Sequence, residues 1–87
     1  MERFFSHYTF IYPQIYLTNH IVELEGNKII SYFPYEKQIS HTSFVSGLLI
    51  FIPDDLTLSD VKPILIENEI FAGLMERGSI LVRSFSI

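Results

Sequence analysis

Three histidines and a pair of adjacent aspartates are the residues of this sequence that could do chemistry. His7, His20 and His41 could bind a metal, but none are spaced His-x-His or His-x3-His, so nothing local brings two imidazoles to one ion. Asp54 and Asp55 could work as acid and base, but neighbouring residues of an extended chain point in opposite directions. Because Pro-Asp-Asp is also common in turns, the sequence predicts neither a metal site nor a catalytic carboxylate pair.

A serine nucleophile is the other catalytic candidate. Ser40, Ser43 and Ser46 lie near His41, but the sequence lacks a Gly-x-Ser-x-Gly elbow, and a Ser–His pair also needs a third group to orient the imidazole. The chain has no cysteine and no Walker or Rossmann glycine pattern. The sequence therefore predicts no catalytic residue and no cofactor.

Composition and charge limit the class of protein. The 87 residues, of which 48% are hydrophobic, predict one globular domain over residues 1–87, and eight Phe and five Tyr favour a β-rich core. A net charge of -4 without a Lys/Arg cluster argues against nucleic-acid binding. The start MERFFSHYTF does not resemble a signal peptide, and no apolar run approaches the roughly 18 residues of a membrane span. We expect a cytoplasmic protein with no membrane contact.

The clearest local element is a β-hairpin at 20–33. Gly26–Asn27 separates two β-rich runs and suits a two-residue turn of type I′ or II′. This turn predicts four facing pairs, namely Glu25–Lys28, Leu24–Ile29, Val22–Ser31 and Ile21–Tyr32.

Three further strands complete the expected fold. His7–Tyr12 is followed by Pro13, which ends a strand. Leu48–Ile52 has no polar alternation and predicts a strand buried on both faces, which stops at the Pro-Asp-Asp turn. The run at 79–86 predicts a closing strand. We expect a mainly β (α+β) domain, with a small β-sandwich-like arrangement of antiparallel sheets.

One helix is predicted over about 59–77. Thr57 or Ser59 can cap it, Pro63 is tolerable only in its first turn, and Gly78 can end it. Its apolar stripe at roughly helical spacing consists of Ile64, Leu65, Phe71, Leu74 and Met75. In a competing interpretation, residues 64–66 (ILI) form a strand and residues 66–69 (IENE) form a turn. The state of residues 62–70 therefore stays open.

Four tyrosines are the candidate interaction surface. Tyrosine pairs a large apolar ring with a polar tip and is enriched at interfaces. Tyrosines also cover small sheets with their hydroxyls in water, and that alternative stays open. The residues are Tyr12, Tyr16, Tyr32 and Tyr35.

The first part of the chain resembles the start of the amidohydrolase superfamily of metal-dependent hydrolases. GNKIISYF is similar to the second arm of the family's early hairpin, and SGLLIFIP to its glycine, apolar strand and proline. The resemblance covers about residues 6–54. It implies the small β-sandwich that stands beside the catalytic barrel in that family, closed here by the strand at 79–86.

The sequence departs from the family where catalysis would begin. Asp54 replaces the glycine after the proline, no His-x-His follows, and the remaining residues are too few for a barrel. No catalytic or metal-binding residue of the family carries over. The favoured hypothesis is a non-catalytic module that binds a protein partner or itself. The alternative is an accessory subunit or fragment of a hydrolase acting on C–N bonds, with catalysis on another chain.

Overall fold

The computed structural model describes residues 1–86 as one five-stranded sheet with two helices, which confirms a mainly β fold. The strand order is β3-β2-β1-β4-β5. The elements are β1 Glu2–Ile11, β2 Ile15–Glu25, β3 Lys28–Pro34, β4 Thr42–Pro53, α1 Leu58–Leu65, α2 Glu69–Arg77 and β5 Ile80–Phe85. The closing strand expected at 79–86 is thus confirmed as β5.

The sheet is mixed, so the prediction of antiparallel sheets is wrong for half of it. β2 pairs antiparallel with β1 and β3, whereas β4 pairs parallel with both β1 and β5. Parallel neighbours need a long crossover, usually helical, and the segment carrying α1 and α2 is the crossover between β4 and β5. The predicted sandwich is not confirmed, since all strands of residues 1–86 belong to one sheet.

The predicted hairpin forms, but part of its register is wrong. Gly26 has a φ of 62° and Asn27 has no positive φ, the φ pattern of a type II′ turn. Glu25–Lys28 and Leu24–Ile29 face each other as expected. Ile30 then forms a bulge, which shifts the partners of Val22 and Ile21 to Tyr32 and Phe33.

The prediction of one helix over 59–77 is wrong, because the chain forms two. Thr57 is the N-cap of α1, and its backbone N–H donates to the Asp60 carboxylate at 2.9 Å. Pro63 lies in the second turn of α1, not in the first. Asn68 starts α2, since its side-chain oxygen accepts hydrogen bonds from the N–H groups of Ile70 and Phe71. The competing strand at 64–66 does not form.

The three central strands bend along one line. Asn19 on β2 and Gly47 on β4 have positive φ values of 54° and 92°, and the β1–β4 register shifts between Ser6 and Tyr8. The Ser6 hydroxyl donates to the Gly47 carbonyl oxygen at 2.8 Å across this line. We call this line the bend, and it divides the sheet into two halves.

The bend encloses an inner core between the two halves. Phe4 pairs with Ser43 near the start of β4, yet its ring centroid lies 6.3 Å from that of Phe51 near the end of β4. The hairpin turn also reaches the end of β5, where the Ser86 N–H donates to the Asn27 carbonyl at 2.6 Å. The main inner-core residues are Phe4, Ile11, Leu17, Val22, Leu24, Val45, Leu49, Phe51 and Phe85.

The opposite face of the sheet carries an outer core under the helices. Leu48, Ile50 and Ile52 point to this face while Leu49 and Phe51 point to the inner core, which confirms that this strand is buried on both faces. The outer core consists of Phe10, Leu48, Ile50, Ile52, Val61, Leu65 and Phe71. Neither helix in residues 1–86 has the length and apolar character needed to cross a membrane.

Candidate interaction surface

The structure separates the four tyrosines of the predicted surface. Tyr12 and Tyr16 are half-buried and pack on the outer core under the helices. Tyr32 is 42% exposed on the edge strand β3, where its ring lies 6.4 Å from that of His20. Tyr35 follows β3 and contacts Phe5 instead. The four residues therefore do not form one patch.

Tyr16 holds the helices on the sheet. Its hydroxyl donates to the Ile64 carbonyl oxygen at 2.6 Å, and its ring lies 5.1 Å from that of Phe71. Burial raises the pKa of the Tyr16 hydroxyl above its usual value, and the charge of Glu67 raises it further. The neutral hydroxyl is thus favoured, as its role as a donor requires.

Tyr35 belongs to an exposed group of aromatic rings that the sequence did not predict. The Phe5 ring lies 4.6 Å from the Tyr35 ring and 5.8 Å from the Phe44 ring, centroid to centroid. Phe44 is 59% exposed and Tyr35 is 43% exposed. We call Phe5, Tyr35 and Phe44 the aromatic patch. Large exposed apolar groups of this kind mark association sites when they are contiguous.

The sheet topology builds the aromatic patch from distant parts of the chain. Phe5 and Phe44 are direct partners in the parallel β1–β4 pairing. Their neighbours Phe4 and Val45 point into the inner core, so alternation directs Phe5 and Phe44 to the helix side of the sheet. The Tyr35 backbone N–H donates to the Asn19 carbonyl at 2.8 Å, which fixes the residue beside them.

A pocket of about 250 Å³ opens within the aromatic patch. Its lining carries no charged side chain and includes Thr42, whose own hydroxyl is buried and makes no hydrogen bond within the described residues. The lining residues are Phe5, Tyr35, Gln38, Ile39, Thr42 and Phe44.

An ion pair lies on the same half of the sheet as the aromatic patch. Arg3 Nε donates to the Glu23 carboxylate at 2.7 Å, and the Ser31 hydroxyl donates to the other carboxylate oxygen at 2.5 Å. The hydrogen bond from Ser31 and then that from Arg3 lower the pKa of the Glu23 carboxyl. The pairing joins the two opposite charges of Arg3 and Glu23 on this half of the sheet.

Three of the residues first considered for chemistry, His7, His20 and Asp54, have structural partners. A ring nitrogen of His7 lies 2.7 Å from the Asn19 side-chain oxygen, and one of His20 lies 2.8 Å from the Thr18 carbonyl. Asp54 lies in the turn after β4 and accepts hydrogen bonds from the Asn27 amide and the Ser86 hydroxyl. Within residues 1–86 no group of three His, Asp or Glu side chains is arranged to hold a metal.

Comparison with known proteins leaves the geometry as the basis for a functional assignment. No protein-family model, curated protein or solved structure shows a significant match to this chain. The resemblance to the amidohydrolase sandwich therefore stays a prediction from residues 6–54. The aromatic patch and its pocket combine exposed aromatic rings with an uncharged cavity.

Proposed function

We propose that this chain is a non-catalytic, β-rich module that binds another protein through the aromatic patch. The observation that supports this proposal is the exposure of Phe44, at 59%, beside an uncharged pocket. Burying a phenylalanine side chain is worth about 1.5–3 kcal/mol, so leaving one in water forgoes a large contribution to stability. Exposed aromatic rings around a pocket are typical anchor points of protein interfaces.

The size and chemistry of the pocket define the kind of partner. A volume of about 250 Å³ accommodates one side chain rather than a large ligand. Its lining carries no charged side chain and therefore favours an apolar side chain of the partner. We therefore propose as the ligand a short protein segment with one apolar anchor residue.

The proposal can be tested by selecting random peptides displayed on phage against the immobilised chain. We expect enriched peptides to share an apolar anchor position, because the pocket holds one side chain. Their affinity, measured by isothermal titration calorimetry, should fall at least about tenfold for Phe44→Ser, since an anchor contact is typically worth more than 1 kcal/mol.

Ile66→Ser provides the matched control. Ile66 is also an exposed apolar residue, 53% exposed, but it lies between the helices and outside the pocket lining. Peptides that bind this variant like the unmodified chain and fail to bind Phe44→Ser would support the proposal. Absence of enriched peptides, or equal loss of affinity in both variants, would contradict it.

The hydrolase hypothesis has a separate test. If the chain is an accessory subunit acting with a catalytic barrel, it should co-purify stoichiometrically with a chain that carries a His-x-His barrel. That association would support a role in a C–N hydrolase, whereas peptide binding by the isolated chain would support the association module alone. The resemblance over residues 6–54 is what motivates the experiment.

A further inference from the structure

His7 adjoins the aromatic patch on β1. Its ring centroid lies 5.4 Å from that of Phe5 and 5.7 Å from that of Phe44, and the planes meet at 76° and 74°. The His7 side chain is exposed, like that of Phe44. A segment that covers the Phe44 ring therefore also covers the imidazole of His7.

Asn19 determines which ring nitrogen of His7 carries the proton. His7 Nδ1 lies 2.7 Å from the side-chain oxygen of Asn19. This oxygen can only accept a hydrogen bond, so Nδ1 is the nitrogen that donates. In the neutral ring Nε2 then carries no proton and is an acceptor, and it makes no hydrogen bond within residues 1–86. His7 thus offers one free acceptor beside the aromatic patch.

The surroundings of His7 favour the neutral ring once a partner covers it. On one side lie the uncharged rings of the patch, and on the other a second pocket of about 500 Å³ that reaches α2. A covering partner removes water from the imidazole, and burial without an opposite charge disfavours the charged form. None of the residues that line the second pocket is acidic. Besides His7 they are Tyr8, Thr18, Asn19 and Ile70.

The charged groups of the neighbouring elements do not offset a charge on His7. On β1 and β2, Arg3 and Glu23 form an ion pair with each other. Hydrogen bonds from Ser31 and then from Arg3 lower the pKa of the Glu23 carboxyl, so this pair stays ionised where histidine takes up a proton. On α2, Glu69 precedes Ile70 but does not line the pocket beside His7. The ring that β4 places against His7 is uncharged.

We propose that His7 is a specificity residue of the aromatic patch, whose Nε2 accepts a hydrogen bond from an N–H group of the bound segment, so that acidification weakens binding. This inference rests on the function proposed for the patch. A bound segment buries some of its own N–H groups, and each of them needs an acceptor. Protonation turns Nε2 into a donor, which then opposes the N–H group of the segment.

Isothermal titration calorimetry at about pH 7.5 and about pH 5.5 tests the inference, because histidine changes charge within this range. The probe is a phage-selected peptide without histidine whose binding is lost in Phe44→Ser. Its affinity for the unmodified chain should be at least about threefold lower at the acidic pH, the effect of losing one hydrogen bond. His7→Gln keeps an acceptor that does not titrate and should bind equally at both pH values. His7→Phe keeps a ring without an acceptor and should bind more weakly at neutral pH, again without pH dependence.

His20→Gln is the matched control. His20 also lies on a central strand, but its ring contacts Tyr32 on β3, so this variant should keep the pH dependence. A patch-dependent peptide that binds the unmodified chain equally at both pH values would overturn the inference and leave the proposed function intact. PH dependence that persists in His7→Gln, or tighter binding at the acidic pH, would also overturn it. Absence of any enriched peptide would overturn both proposals.

Discussion

Both helices lie on one face of the sheet, but they cover only one of the two halves that the bend separates. The other half of this face is open. Beyond the bend, Phe10 and Leu48 are fully buried beneath α1 and α2. Before it, Phe5 and Phe44 lie on the same side of the sheet without a helix above them, and Phe44 is 59% exposed. Both halves carry large apolar side chains, so composition does not explain the difference.

The length of the crossover between β4 and β5 explains why the helices cover only one half. The crossover leaves β4 after Pro53 and returns at Ile80, which is the partner of Leu48 just beyond Gly47. The helices between these points cover the half of the sheet that lies past the bend. Topology thus decides which aromatic residues are buried beneath the helices and which stay exposed.

Removing a ring from each half is the strongest test of this comparison. Phe71→Ala should lower the free energy of unfolding by about 3–5 kcal/mol, because Phe71 is only 2% exposed and packs on Tyr16. Phe44→Ala should change it by less than about 0.5 kcal/mol, as expected of an exposed position. Urea denaturation followed by circular dichroism measures both. Equal losses would show that the open half also supports the fold.

Gly47→Ala tests the bend that separates the halves. A left-handed φ costs a residue with a side chain about 1–2 kcal/mol, and an added Cβ would also collide with the Ser79 carbonyl oxygen. Gly26→Ala is the control, since Gly26 also has a positive φ but nothing lies near its added Cβ. We expect the larger loss of thermal stability for Gly47→Ala. Similar melting temperatures for the two variants would argue against close packing at the bend.

Asn68→Ala tests how the helices are held over the covered half. Loss of the two hydrogen bonds that cap α2 should lower the free energy of unfolding by about 1 kcal/mol. Asn68→Asp keeps an acceptor at the cap and should retain most of the stability. If both variants lose the same stability in urea denaturation, the side-chain cap is not what stabilises the start of α2.

The ion pair on the open half predicts a small dependence on pH. The pKa of Glu23 is lowered by Ser31 and Arg3 from its usual 4.5, so its stabilising effect is complete above that value and is lost as the pH falls through the folded-state pKa. The unmodified chain should therefore lose more stability on acidification than Glu23→Gln. Urea denaturation at neutral and acidic pH measures this difference, and parallel losses would contradict it.

Local features were predictable from the sequence where a few neighbouring residues decide the structure. Gly26–Asn27 formed the expected turn, and the apolar run at Leu48–Ile52 is buried on both faces. The bulge at Ile30 was not predictable, because Ile29 and Ile30 are chemically identical and nothing local selects which of them is left unpaired. Asn68 was not predicted as a cap, because the apolar stripe continues across it.

The aromatic patch could not be predicted, because it depends on strand pairing. Phe5 and Phe44 meet only because β4 lies parallel to β1, and an apolar run does not specify its neighbour in the sheet. Phe44 has serines nearby in the sequence, at Ser43 and Ser46. These polar neighbours were the one local indication that its ring is exposed. The predicted surface contained one of the three patch residues, Tyr35.

The parallel pairing of β1 and β4 also affects how fast the chain can fold. It joins Arg3 to Thr42 and Ile11 to Phe51, whereas the most widely separated pair of the hairpin is His20 with Pro34. Closing long loops has an entropic cost that slows folding, so we expect the hairpin to form first and the β4–β5 half to follow with its helices. During that interval strand β5 is unpaired. Synthesis at high concentration is therefore the condition under which this chain is most exposed to misassembly.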